Sequence, residues 1–144
     1  MCGGLGREMV SCNMRNVAAL AMIVAFAGPA DAASMQVAGT LGYLSEWEVT
    51  ANVTEDVSAG KDEFSGPVIV KHVGVCSPGH PTEMSGRIRY RIAGWMTRTM
   101  SGTLSLDGVE CGFAARLSKA YEGATSCEQW HGVPISLSVK PASP

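Results

Sequence analysis

Catalytic signatures are missing from this chain of 144 residues. There is no Gly-x-Ser-x-Gly elbow, no His-Glu-x-x-His pair, no Gly-rich phosphate cradle and no Cys-x-x-Cys spacing, so nothing in it points to serine-type acyl transfer, zinc hydrolysis or nucleotide chemistry. A non-enzymatic protein without a cofactor is the expectation. Charge is sparse as well, at 17% of residues, and the signs nearly cancel to a net −2. That balance supplies no electrostatic reason to expect nucleic acid or an anionic membrane surface as a partner. After residue 32 the chain has neither a helical hydrophobic period nor a second long apolar run, which predicts a soluble, helix-free domain.

What is present begins with a leader. Arg15 precedes an unbroken apolar core, Val17 to Ala27, of a length suited to a signal peptide and too short to span a bilayer. Gly28-Pro29 breaks it, and Ala30-Asp31-Ala32 provides small residues for cleavage after Ala32. A start at Met14 rather than Met1 gives the compact Met-Arg-Asn opening of an ordinary export signal. Residues 1–32 are therefore read as a cleavable leader, residues 33–144 as one domain, and the location as secreted or periplasmic. Setting aside Arg7, Arg15, Glu8 and Asp31 from the 11 basic and 13 acidic residues leaves nine and eleven, so the domain keeps a net charge near −2.

The domain alternates at period two almost throughout. Val37, Gly39, Leu41 and Tyr43 share one face; Trp47, Val49, Ala51 and Val53 do the same, as do Ile88, Tyr90 and Ile92 against outward Arg87, Arg89 and Arg91. Phe64 to Val75 is the longest β-rich run, with Pro67 predicting a strand start, bulge or edge. Val133 to Val139 is the last strand, followed by a fraying Pro-Ala-Ser-Pro.

The stretch Met100 to Cys127 specifies its own pairing. Asp107-Gly108 tolerates the positive φ angles of a type I′ turn, which sets Leu106 against Val109, Leu104 against Cys111 and Gly102 against Phe113. A three-residue turn at Ser118-Lys119-Ala120 preserves the facing and brings Cys111 opposite Cys127. Inward cysteines so placed have β-carbons about 4.5–5.5 Å apart, within reach of a disulfide. The same register sets Arg116 opposite Glu122 and leaves the arginine stripe beside the neutral Ser101, Thr103 and Ser105. About eight short strands with short links predict an antiparallel up-and-down β-barrel, with a β-sandwich as the alternative. Closing the last strand on the first removes both exposed edges.

This order of export signal, early strand tryptophan, meander and late disulfide is similar to the general plan of lipocalins and avidins. The lipocalin Gly-x-Trp is absent, since Ser45-Glu46 precedes Trp47. Ser85-Gly86 with alternation through Tyr90 resembles, over those few residues, bacterial periplasmic lysozyme inhibitors. No site residue follows from either resemblance.

Binding is the leading functional expectation: a small apolar ligand inside the barrel, or a protein partner or inhibitor target through loops carrying Trp95, Trp130 and the stretch Cys76 to Glu83. Inward Gly39, Gly102, Gly123 and Ala51 predict a cavity, whereas a filled interior would favour the protein partner. Arg87, Arg89 and Arg91 are a further candidate, for a carboxylate or other acidic group. The rival is metal- or thiol-dependent activity at His72, Cys76 and His80, three soft or borderline ligands spaced by four. A third reading is a structural envelope protein in which Cys76, the odd cysteine of the domain, bonds between molecules.

Overall fold

The computed structural model describes residues 32–74 and 82–143. The apolar leader core, Cys76 and His80 lie outside the described residues. Eight strands follow in order: β1 (Ser34–Leu41), β2 (Trp47–Glu55), β3 (Glu63–His72), β4 (Glu83–Ala93), β5 (Thr99–Leu106), β6 (Val109–Leu117), β7 (Tyr121–Cys127) and β8 (Val133–Pro141). Each pairs antiparallel with the next, and β8 pairs with β1 to close a barrel. The alternative of two packed sheets is thereby set aside, and no strand of the meander is left with a bare edge.

Registers in β5, β6 and β7 are those the turns impose. Asp107 and Gly108 adopt φ of 47° and 86°, the left-handed pair of a type I′ turn, and Leu106 faces Val109. The turn at 118–120 closes through the Ser118 N–H donating to the Ala120 carbonyl, 2.9 Å, and Leu117 faces Tyr121. Cys111 then lies opposite Cys127, and the two are bonded.

Three local expectations are corrected. Tyr43 does not extend the inward face of β1: the strand stops at Leu41, Gly42 turns at φ 107°, and Tyr43 is exposed in the loop. Pro67 sits inside β3, neither at its start nor on an edge. The chain accommodates it because the β2–β3 ladder is interrupted opposite Asn52 and Val53, where its missing N–H is not needed, while Pro67 still aligns with Arg87 of β4. Nor does the chain fray at Pro141 and Ala142. Pro141 ends β8 opposite Met35, and the Ala142 N–H donates to the Ser34 carbonyl, 3.0 Å.

The middle of the barrel is filled. Val37, Val49, Val70, Ile88, Met100 and Leu137 are wholly buried, and Phe64 stacks on Tyr90 with ring centroids 5.5 Å apart. The inward glycines do not leave the predicted cavity. A methyl group built on Gly39, Gly102 or Gly123 would overlap the carbonyl oxygen of Ser136, Arg89 or Ala114 on the adjacent strand, and Gly66 and Gly86 are in the same position against Asn52 and Ser105. These are points where one strand's backbone is drawn against the next, the device by which a sheet bends tightly enough to close. Gly102 lies between Tyr90 and Phe113 in the ladder, so the large rings stand beside the residue that has no side chain. Among the described residues the Tyr90 hydroxyl is buried without a hydrogen-bond partner, and burial, assisted by nearby Tyr121, pushes its pKa up to about 12.

Candidate functional site

In an up-and-down barrel, alternate turns gather at opposite ends. The β1–β2, β5–β6 and β7–β8 connections share one mouth with the described residues of the β3–β4 connection. The filled core stops short of that mouth. Above it is a cavity of about 610 Å³, within the range of small-ligand sites. Leu104, Cys111 and Thr125 are its most buried lining residues; Leu41, Trp47, Met84, Leu106 and Val133 are apolar residues of the wall, and exposed Tyr43, Val109 and Trp130 carry the wall outward. Thr125, the buried polar residue here, is satisfied by donating from Oγ1 to the Gly112 carbonyl, 3.1 Å.

The alternation that builds the strands also builds this cup. Trp47 opens β2 and points inward because Val49, Ala51 and Val53 do, and its ring meets His72 edge-on with centroids 4.7 Å apart. Trp130 is held from the other side. The Cys127 N–H donates to the Trp130 carbonyl, 2.7 Å, so the turn bearing Trp130 is fastened directly to a cysteine of the disulfide. Neighbouring strand ends are also tied along the rim: Gly42 N–H donates to the Pro134 carbonyl, 2.9 Å, between β1 and β8, and Val73 N–H to the Glu46 carbonyl, 2.8 Å, between β3 and β2. A mouth so braced holds its cavity with few groups left to order on binding.

The sequence candidates fall in different places. Trp130 lines the cup, but Trp95 is 91% exposed on the β4–β5 turn at the other mouth, so the two tryptophans do not form one site. Arg87, Arg89 and Arg91 do share the outer face of β4, yet their neutral β5 neighbours are only half of the surroundings. Glu63 of β3 reaches Arg91 at 2.9 Å and Arg89 at 3.7 Å, leaving Arg87 as the member without an acidic partner among the described residues. The expectation of unpaired arginines is corrected by that strand neighbour. Arg116 and Glu122 are opposite as predicted, but Glu122 accepts from the Ser118 hydroxyl, 3.1 Å, and the described residues show no ion pair with Arg116. Of the His72, Cys76 and His80 set, only His72 is described, packed against Trp47; among the described residues no group of three or more His, Cys, Asp or Glu side chains could hold a metal.

Sequence reasoning missed Tyr43, Met84, Leu106 and Val133 as cup residues. The signal was available in principle, since Met84, Leu106 and Val133 lie at strand ends, and Tyr43 in a connection, that turn parity sends to the Cys127 end. In comparisons with known proteins, no family model, no curated protein and no solved structure matches this chain.

Proposed function

We propose that this chain is an exported, non-enzymatic binding protein whose ligand is a small apolar molecule held in the cup at the disulfide mouth. The carrying observation is the cavity of about 610 Å³, walled mostly by apolar side chains and braced by the Cys111–Cys127 bond. The closely buried side chains of the barrel's middle favour the mouth over the centre as the ligand's place. Export is supported by the disulfide, which persists in an oxidising compartment, together with the apolar leader.

A neutral fluorescent probe such as N-phenyl-1-naphthylamine tests this reading. Saturable enhancement is expected, with affinity lowered at least about tenfold by Trp130→Ala or Leu104→Glu. Absence of saturable binding of neutral apolar probes would sink the proposal. A second reading, a protein partner, is favoured by the filled centre and by exposed Trp95 and Met96 on the opposite mouth. In that case Trp95→Ala, not Trp130→Ala, would impair partner binding.

A further inference from the structure

The cup's chemistry is narrower than apolar. Three aromatic side chains, Tyr43, Trp47 and Trp130, line the same cavity as three carboxylates, Glu46, Asp107 and Glu128, and no lysine or arginine is among the lining residues. Among the described residues His131 is the one basic side chain of the lining. We infer that the ligand is a lipophilic cation, an alkylammonium whose hydrocarbon part fills the cup while its charged head lies at the aromatic and carboxylate rim. The inference rests on the small-ligand reading proposed above.

Two physical effects act in the same direction. Aromatic faces attract an ammonium through their quadrupoles, more strongly as water is excluded, and carboxylates beside a low-dielectric wall focus a negative potential into the opening. Two of the three carboxylates are held in place by backbone N–H groups. Glu46 accepts the Leu44 N–H at 2.8 Å and Asp107 the Ser85 N–H at 3.4 Å, and none of the three is ion-paired among the described residues. The wider mouth keeps an acidic excess: Glu48, Glu83 and Glu110 lie towards that end against Lys71, which is engaged with Glu83 at 3.5 Å, and Arg87, which is level with Glu110 across Ser105. The hollow at the other end has the contrary bias, lined by Lys61, Arg91 and Arg98 with Asp62. Charge thus distinguishes the two openings, and only the apolar one is acidic.

The test uses the full chain and three probes of one chain length below their micellar concentrations: decyltrimethylammonium, decanol and decyl sulfate, each titrated by displacement of the neutral fluorescent probe at low salt. The ammonium is expected to bind about tenfold or more tightly than the alcohol, the sulfate more weakly than either, and the preference to shrink as salt is added. Glu46→Gln, Asp107→Asn and Glu128→Gln combined should bring the ratio of ammonium to decanol affinity near unity, and a ratio that stays about tenfold or more in this variant would overturn the role of the carboxylates. Amide side chains retain the acceptor oxygens that Leu44 and Ser85 use, and Asn-Gly suits the type I′ turn, so the variant is built to fold. Equal binding of ammonium and alcohol, or preference for the sulfate, would overturn the cationic ligand while leaving the apolar cup standing. Failure of all three probes to displace would overturn both.

Discussion

The two mouths of this barrel are built from the same eight strands and differ in nearly every property that matters for binding. One is an apolar cup, acidic at its rim, carrying Trp47, Trp130 and the disulfide. The other is a hollow of about 670 Å³ with Lys61, Arg91 and Arg98 around Met35, Phe64 and Ile92, and it displays Trp95 to solvent. Turn parity explains the division. Odd-numbered connections of a meander all land at one end, so residues far apart in sequence, Glu46 and Glu128, become neighbours of one opening, while Trp95 and Trp130 are parted. Between the ends lies the filled section, and it couples them only through the stability of the whole.

That middle section gives the largest predicted effect. Gly102→Val would drive a side chain into the Arg89 carbonyl between Tyr90 and Phe113, costing on the order of 3 kcal/mol or more. Both mouths should then be lost together, seen as loss of the cooperative thermal transition along with probe binding. A folded Gly102→Val barrel would show that the strands are not in close approach there. Next in size is the Cys111→Ala, Cys127→Ala double variant. Closing a loop with a sequence separation of 16 contributes about 3 kcal/mol by constraining the unfolded chain, less where strain or residual structure intervenes. The expected signature beyond the fall in denaturation midpoint is local: probe affinity drops because the end of β7 that carries the Trp130 turn loses its covalent tie to β6, while Trp95 emission is unchanged. Equal perturbation at both ends would erase the distinction between the mouths.

How much of this was readable from residues alone follows the same division. Strand alternation, the Asp107-Gly108 turn and the position of Cys111 against Cys127 are local consequences of period two and turn chemistry, and the fold repeats them register for register. The cup was not readable in that way. Its wall comes from Leu41, Met84, Leu106 and Val133, whose nearness depends on barrel closure and on where the core stops, neither of which is a pattern in any short window. The glycines show the same limit. Inward Gly39, Gly102 and Gly123 were visible as missing side chains, but whether absent volume becomes a void or a bend depends on how closely the neighbouring backbone comes. Pairing of Arg89 and Arg91 with Glu63 likewise required knowing that β3 flanks β4.

A smaller effect separates the core from both mouths by pH. Tyr90 keeps its proton to about pH 12 in the folded barrel and to about 10 in the unfolded chain, so between these values the unfolded state binds fewer protons. The Tyr90 contribution to stability is therefore constant below pH 10 and falls above it, by about 1.4 kcal/mol per unit, until the native hydroxyl also ionises. Tyr90→Phe removes this alkaline slope and deletes a buried hydroxyl without a partner, which should raise stability at neutral pH by about 1 kcal/mol. Urea denaturation at neutral pH and across the alkaline range reads both. A destabilised phenylalanine variant would mean that the hydroxyl has a partner.

The smallest effect belongs to the outer face beside the basic mouth. Glu63 is largely covered, with a side-chain exposure of 13%, but Arg89 and Arg91 are 59% and 56% exposed, so solvent screens most of the attraction. Glu63→Gln should lower stability by less than about 1 kcal/mol, and the loss should shrink further as salt is raised. Arg87→Ala, which removes no ion pair among the described residues, should fall within about 0.5 kcal/mol of the parent. Neither change should alter the affinity of the cup for a neutral probe, because Glu63 and the arginines face outward and the cup is lined by other residues. A shift in probe affinity from Glu63→Gln would mean that the outer face of β3 and β4 communicates with the disulfide mouth, and the two ends would then have to be treated as one site instead of two.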